Sequence, residues 1–214
     1  MEAVVQVDLR PRTSQGAAQV IAAVILAAGA SSRMGSPKAL LDYSGETFLS
    51  RLIRIMGSVA NPVIAVIGYH ADAIRNATHS AATFVTNPDP DRGQLSSLQT
   101  GLAALPSGVD GFLFTPVDSP AVREETVQML RDRFQRREAD TLFVIPRYRG
   151  KRGHPVFAGA SLIQEFLALP VTAQAKDIVH RYVPRTEYVD LDDPGILTDI
   201  DDRTQYQQLL EQNQ

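Results

Sequence analysis

The stretch VIAAVILAAGASSRMGSPKALL, residues 20–41, changes from an almost uninterrupted apolar run into a polar loop within a few residues. Its apolar half, Val20–Ala28, is typical of a strand that is covered on both faces of a sheet. Its polar half holds two glycines together with the cations Arg33 and Lys38. Two interpretations are open: a strand-to-helix turn that happens to be polar, or a loop that binds an anion.

Strand-like and helix-like segments alternate along the rest of the chain. Six further runs are strand candidates: Pro62–Gly68, Ala82–Thr86, Gly111–Val117, Thr141–Pro146, His154–Phe157 and Thr186–Leu191. Apolar residues at helical spacing lie between or after them, at 49–56, 95–105, 122–137 and 206–210. Strands that alternate with helices are joined by right-handed crossovers. We therefore predict a three-layer α/β fold, with a mostly parallel sheet and helices on both faces.

Composition narrows the classes of protein. A chain of 214 residues, 44% hydrophobic and 21% charged, is typical of one globular domain, predicted over residues 20–214 after a flexible tail at 1–19. A net charge of −3 does not favour nucleic acid or an anionic membrane as a partner. The absence of cysteine excludes thiol catalysis and agrees with a cytoplasmic location. The run at 20–28 is far shorter than the ~20 residues that a bilayer requires, and we interpret it as a strand.

The residues after the first strand could bind phosphate, although they match neither G-x-x-x-x-G-K-[ST] nor G-x-G-x-x-G. Glycine permits positive φ and a close approach of the backbone, so that successive N–H groups can converge on phosphate oxygens. Arg33 adds a planar fork of donors and Lys38 a mobile point charge. Spacing alone favours this interpretation only modestly over a polar turn.

The segment LAAGASSRMGSPKALL, Leu26–Leu41, resembles the L-A-A-G-x-S-x-R-M-G-x-x-K-x-L-L motif of the MobA-like and MocA-like nucleotidyltransferases, which build molybdenum cofactor dinucleotides. The resemblance implies the Rossmann-like nucleotide-diphospho-sugar transferase fold of their superfamily. It also implies catalytic roles for Arg33 and Lys38. The nucleotide contacts that it implies in this loop are Leu26, Ala27, Ala28, Gly29, Ser31, Ser32 and Gly35.

A second segment, NPDPDRGQLSSLQTGL, follows the third strand candidate. Taken alone, it is the start of a helix that Ser96 could cap. It is similar to the G-x-x-x-S-L-x-x-G-L segment of the same family, which lies by the nucleotide base. The resemblance therefore implies nucleotide contacts from Gly93, Gln94, Ser96 and Ser97.

Asp118 follows a buried strand in FLFTPVDSPAV and could be either a helix cap or a metal ligand. Mg²⁺ binds few protein carboxylates and completes its shell with water and phosphate oxygens, so one or two aspartates suffice. The stretch resembles the family's P-x-D-x-P element, whose aspartate holds Mg²⁺. The resemblance implies the same role for Asp118.

The segment LTDIDDRTQYQQLL holds three aspartates, which stand just before the apolar residues of the last predicted helix. Asp199 and Asp201 project to one side if the backbone is extended, while Asp202 could cap the helix. The family has D-I-D-T-P-x-D here, close to its metal, and this chain has Asp202 and Arg203 in place of T-P. The resemblance implies Asp201, with Asp199 as the alternative, as a second carboxylate on the metal side.

The basic segment PRYRGKRGHPVFAGASL is by default a solvated loop, and its single tyrosine in an acidic chain argues against a nucleic-acid surface. It resembles the MocA-like P-x-x-x-G-x-x-G-H-P-V-x-F element, which faces the acceptor. Arg152 and His154 are therefore implied to contact the acceptor's phosphate. The stretch at 171–182 departs from the family's G-D-x-G-A-R-like pattern, which leaves the identity of the acceptor open.

The activity implied by the resemblance is Mg²⁺-dependent transfer of a nucleotide from a nucleoside triphosphate to a phosphate monoester, with release of pyrophosphate. CTP and molybdopterin are the expected substrates, and a molybdoenzyme could be a client. Ala28 stands where the guanylyl enzymes usually have glycine, and its methyl group leaves less room for a purine. The alternatives are a GTP-dependent guanylyltransferase, a sugar- or polyol-phosphate nucleotidyltransferase, and a nucleotide- or cofactor-binding module without catalysis.

Overall fold

The computed structural model of the protein describes residues 19–211, and the tail predicted over residues 1–19 lies almost wholly outside them. The strands are β1 (Ile21–Ala27), β2 (Asp42–Tyr43), β3 (Glu46–Thr47), β4 (Val63–Ile67), β5 (Thr83–Thr86), β6 (Gly111–Pro116), β7 (Phe143–Tyr148), β8 (Lys151–Arg152), β9 (Val156–Gly159) and β10 (Thr186–Asp190). The α-helices are α1 (Phe48–Gly57), α2 (Ala71–Ala77), α3 (Gln94–Ala103), α4 (Glu124–Gln135), α5 (Ile163–Leu167), α6 (Ala175–Arg181) and α7 (Arg203–Glu211).

Eight strands form one sheet in the order β5-β4-β1-β6-β9-β7-β10, with β8 paired to β7. β1 lies at the centre, parallel to both β4 and β6. β9 is antiparallel to its neighbours β6 and β7. Parallel neighbours need a crossover of a dozen or more residues, and the segment that joins Tyr148 to Val156 is too short for one. The prediction of a mostly parallel sheet is confirmed, with two reversed strands, β9 and the short β8.

Each face of the sheet has its own apolar core. Alternate residues of β1 point to opposite faces: Ala23 and Ile25 pack in the core beneath α1, α4 and α7, while Val24 and Leu26 pack beneath α3, α5 and α6. These two cores make the three layers that the alternation of strands and helices predicts.

All seven predicted strands and all four predicted helices are present, with ends shifted by a few residues. The largest shifts among the strands are two residues at each end of β7 and β9, which begin at Phe143 and Val156 rather than Thr141 and His154. The sequence analysis did not predict β2, β3, β8, α2, α5 and α6, which are too short to show a clear period. Among residues 19–211, none of the helices has both the length and the hydropathy needed to cross a bilayer.

Candidate active site

A cleft of about 280 Å³ opens beyond the carboxyl ends of β1 and β6. Its walls come from the loop after β1, the start of α3, the segment after β6 and the segment before α7. Thirteen of the residues singled out in the sequence line it: Leu26, Ala27, Ala28, Gly29, Ser31, Ser32, Arg33, Lys38, Gly93, Gln94, Ser97, Asp118 and Asp201. The fold thus brings the predicted cations and two of the predicted carboxylates into one cleft.

Lys38 is the centre of the charged network in this cleft. Its Nζ donates to Asp118 Oδ2 at 3.2 Å and to Asp201 Oδ1 at 2.8 Å. Arg33 Nη2 lies 3.3 Å from the same Asp201 oxygen. The Lys38 side chain is only 12% exposed, whereas that of Arg33 is 66% exposed. One cation is therefore held inside the cleft and the other lies at its open side.

The loop at residues 28–37, named the phosphate loop after the role that the sequence predicts for it, is shaped by its own backbone and by Ser31. Ser31 and Gly35 have φ values of 52° and 71°, the left-handed region that glycine tolerates best. The Met34 amide donates to the Ser31 carbonyl at 2.9 Å, and the Lys38 amide donates to Ser31 Oγ at 3.0 Å. A 3₁₀ turn at Lys38–Leu40 follows, so no α-helix starts at this loop.

The two carboxylates that Lys38 contacts differ in their electrostatics. Burial raises the pKa of Asp118, an effect that Lys38 opposes and that Asp199 and Asp201 reinforce. The hydrogen bond from Lys38 lowers the pKa of Asp201, which burial only partly opposes. The ammonium group thus offsets the cost of burying a carboxylate beside two others.

The three aspartates that precede α7 make different contacts. Asp201 faces Lys38, as described above. Asp199 accepts a hydrogen bond from Ser119 Oγ at 2.9 Å and does not line the cleft. Asp202 Oδ1 accepts from the Gln205 amide at 2.9 Å and caps α7. The structure therefore places Asp201, rather than Asp199, beside Asp118 in the cleft.

The segment at residues 87–97 is organised by Asn87, which the sequence analysis missed. Its buried Nδ2 donates to Ser96 Oγ at 2.9 Å and to Ser97 Oγ at 3.1 Å. Ser96 Oγ in turn donates to the Gly93 carbonyl at 2.8 Å. Ser96 lies in the first turn of α3, after the N-cap Gly93, so the prediction that Ser96 could cap the helix is wrong. The available signal was an asparagine that directly follows a strand and precedes a proline.

Neither residue of the predicted acceptor pair lines the cleft. Arg152 is exposed on β8, with its guanidinium 5.1 Å from the centroid of the Tyr188 ring. The ring of His154 packs against Phe114 at a centroid distance of 6.2 Å. Its Nδ1 is buried without a hydrogen-bond partner in the described part of the chain, and burial lowers its pKa. Gly35, Ser96 and Asp199 also lie outside the lining.

The donor set of the cleft suits a hard divalent cation. Two carboxylate oxygens already converge on one cation, the Lys38 ammonium group, and carboxylate oxygen is the ligand that Mg²⁺ prefers. Within residues 19–211 no group of three or more acidic or histidine side chains could hold a metal ion. A divalent ion here would need further ligands from the substrate or from water.

Known proteins of one family are similar in sequence to this chain. A sequence profile of the MobA-like NTP transferase domain matches residues 23–186. The molybdenum cofactor cytidylyltransferase of Escherichia coli is 26% identical over 181 residues, which are 83% of this chain and 89% of that protein. A probable molybdenum cofactor guanylyltransferase of Bacillus cereus is 28% identical over 134 residues, which are 61% of this chain and 64% of that protein.

Solved structures show the same fold. The crystal structure of Rv0371c from Mycobacterium tuberculosis H37Rv has a TM-score of 0.80 and 28% identity, and the match covers 92% of this chain and 100% of that chain. A complex of the same protein with manganese has a TM-score of 0.71 and 25% identity, with coverage of 90% and 99%. These likenesses confirm the Rossmann-like nucleotide-diphospho-sugar transferase fold.

Proposed function

Because the chain belongs to the MobA-like NTP transferase family, we propose that it transfers CMP from CTP to the phosphate of molybdopterin and releases pyrophosphate. The observation that carries this proposal is the convergence of Arg33, Lys38, Asp118 and Asp201 in one cleft at the carboxyl ends of β1 and β6. Cations and backbone amides suit the triphosphate, and the carboxylates suit its metal ion.

In the proposed reaction an acceptor phosphate oxygen forms a bond to the α-phosphorus of CTP. The bond from that phosphorus to the oxygen that bridges the α- and β-phosphates breaks. The attacking oxygen is already anionic, so no strong general base is needed. Arg33, Lys38 and the amides of the phosphate loop bind the β- and γ-phosphates and stabilise the charge that builds on the leaving pyrophosphate. Mg²⁺, held by Asp118 and Asp201, neutralises further negative charge when it is bound.

Lys38 has a second role in this proposal. Its ammonium group neutralises Asp118 and Asp201. If these two carboxylates held a divalent ion, that ion would balance their charge and the Lys38 ammonium group would be free to contact the triphosphate. Its flexible side chain permits this exchange of partners without a change in the backbone.

Ala28 is the basis for choosing CTP. It lines the cleft yet is only 3% exposed. A Cβ atom on Gly68 would lie 2.9 Å from the Ala28 methyl group and 3.1 Å from Pro90 Cβ. The space between these three residues is therefore too small for one more methyl group. A base that approaches Ala28 meets a fixed methyl group, which favours the smaller pyrimidine. Cytidylyl and guanylyl relatives both match the chain. Comparing the use of CTP and GTP by wild type and by Ala28→Gly therefore tests whether the methyl group selects the base.

Mass spectrometry of the product tests the proposal. The protein is incubated with Mg²⁺, molybdopterin and each of CTP, GTP, ATP and UTP in turn. We expect the cytosine dinucleotide and an equal amount of pyrophosphate with CTP, and a gain of GTP use in Ala28→Gly. A guanine dinucleotide from wild type would overturn the choice of base, and pyrophosphate release only with a sugar or polyol phosphate would overturn the acceptor.

The acceptor is proposed to approach past the β7–β8 hairpin, where Arg152 is exposed. His154 remains part of this proposal as a buried, neutral ring close to Asp199, whose charge partly offsets the effect of burial on the pKa of His154. We also propose a cytoplasmic location, with which the absence of cysteine agrees. CTP binding without pyrophosphate release would instead indicate a nucleotide-binding module.

A further inference from the structure

The start of α7 contacts the phosphate loop from outside the cleft. Arg203 Nε donates to the carbonyl oxygen of Met34 at 3.1 Å. A Cβ atom on Gly35 would lie 2.9 Å from Arg203 Nη2, so the guanidinium lies directly against the backbone at Gly35. Arg203 is not among the residues that line the cleft. It therefore supports the loop from behind and does not face the substrate.

The same turn of α7 also fixes Asp201. The amides of Asp201 and Asp202 donate to Gln205 Oε1 at 2.6 and 3.2 Å, and the Gln205 amide donates back to Asp202. The Asp201 carboxylate then contacts Arg33 and Lys38 on the inner side of the loop. One hydrogen-bonded segment, residues 201–205, thus contacts the phosphate loop on both sides.

We propose that Arg203 is a positioning residue that keeps the Met34–Gly35 turn in the conformation that binds the triphosphate. Gly35 has a φ of 71°, which glycine adopts without strain, and glycine is also the residue with the greatest backbone freedom, so contacts such as that of Arg203 restrict the movement of this turn. This inference rests on the proposed function, because it assigns the loop to the triphosphate.

Steady-state kinetics with CTP and the acceptor test the positioning role. We expect Arg203→Ala to raise the KM for CTP about tenfold, the scale of one lost hydrogen bond to a charged group. The KM for the acceptor and kcat should stay within about twofold of wild type, and Arg203→Lys should recover part of the loss by donating one bond. Arg136→Ala, at the end of α4, is the matched control. If the KM for CTP were unchanged, and kcat fell only by the fraction of protein that is no longer folded, Arg203 would have a purely structural role and the proposal would be overturned.

Hydrogen exchange of the ligand-free protein gives a readout that needs no turnover. We expect the peptide that contains residues 31–38 to exchange about tenfold faster in Arg203→Ala, with the rate in β6 unchanged. Equal rates in the two proteins would overturn the role of Arg203. If wild type releases no pyrophosphate but the loop exchanges faster in the variant, the proposed function fails and the support of the loop by Arg203 stands.

Discussion

Lys38 shows at the scale of one residue how the site is built. Its ammonium group is nearly buried and is shared by two carboxylates that are distant in sequence. Ionised carboxylates are costly to bury side by side without such a cation. The same group is placed to meet the negative charge that a triphosphate brings.

Removing either loop cation should reduce turnover. We expect Lys38→Ala and Arg33→Ala each to lower kcat by about 10²–10³-fold, the scale of one lost electrostatic donor. The overall fold should persist, because neither side chain contributes to the two apolar cores, although Lys38→Ala should lower the free energy of unfolding because Asp118 and Asp201 lose their cation. Circular dichroism and urea unfolding serve as controls for folding. Wild-type turnover in both variants would contradict the assigned roles.

His154 provides a prediction about pH. Burial lowers the pKa of His154 below its ordinary value of 6.5, so the unfolded chain takes up this proton more readily than the folded protein. The free energy of unfolding must therefore fall as the pH falls below 6.5. We expect wild type to lose more stability than His154→Gln between pH 7.5 and pH 5.5 in urea titrations. An identical loss in both proteins would show that His154 does not titrate differently on folding.

His154 also shows which features of the site could not be predicted from the sequence. Arg33, Lys38 and Asp118 could be selected because each follows an apolar strand in a segment that resembles a family motif. The burial of His154 depends on its contact with Phe114, which is 40 positions away in sequence. Asn87 was missed for a similar reason, since its partners Ser96 and Ser97 become neighbours only when α3 packs on the sheet.

At the scale of the elements, the packing of α3 on β1 and β4 depends on Gly101. A Cβ atom at this position would lie 2.4 Å from Val24 Cγ1 and 2.9 Å from Val66 Cγ2. Val24 and Val66 are fully buried, so neither can move away at low cost. The close approach places the start of α3, and with it Gly93 and Gln94, at the rim of the cleft.

A pair of glycine substitutions tests this contact. Alanine generally stabilises a helix by about 1 kcal/mol relative to glycine, but overpacking a core costs about 1–3 kcal/mol. We expect Gly101→Ala to be destabilising by about 1–2 kcal/mol in urea unfolding. Gly57→Ala in α1, whose new methyl group would meet Val63 Cγ2 at an ordinary contact distance of 3.8 Å, should be neutral or stabilising. Equal effects would show that α3 can shift to accept the methyl group.

The longer elements could be predicted because their apolar patterns are strong. Val63–Ile67 and Gly111–Pro116 are fully buried strands, and buried parallel strands read as continuous apolar runs. The reversal of β9 was not predicted, since it follows from the short β7–β8 hairpin and not from any pattern in β9 itself. The helices α5 and α6 are too short for a period of 3.6 residues to be distinguished.

At the scale of the whole molecule, the cleft exists because four segments end at the same edge of the sheet. The phosphate loop follows β1, and the start of α3 comes after β5. Asp118 follows β6, and Asp201 lies in the segment after β10. The general rule for parallel sheets predicts this edge. Which side chains touch there is decided by local contacts, such as the bond from the Ile200 amide to the Asp118 carbonyl at 2.9 Å. That residues 20–214 form a single domain stays a prediction.

The most direct test of the central claim is diffraction from crystals that contain Mn²⁺ and a non-hydrolysable analogue of CTP. The account predicts an anomalous peak in direct contact with the Asp118 carboxylate, and a triphosphate bound by Arg33, Lys38 and the amides of the phosphate loop. A metal ion or triphosphate bound away from the cleft that Arg33 and Asp118 share would contradict it.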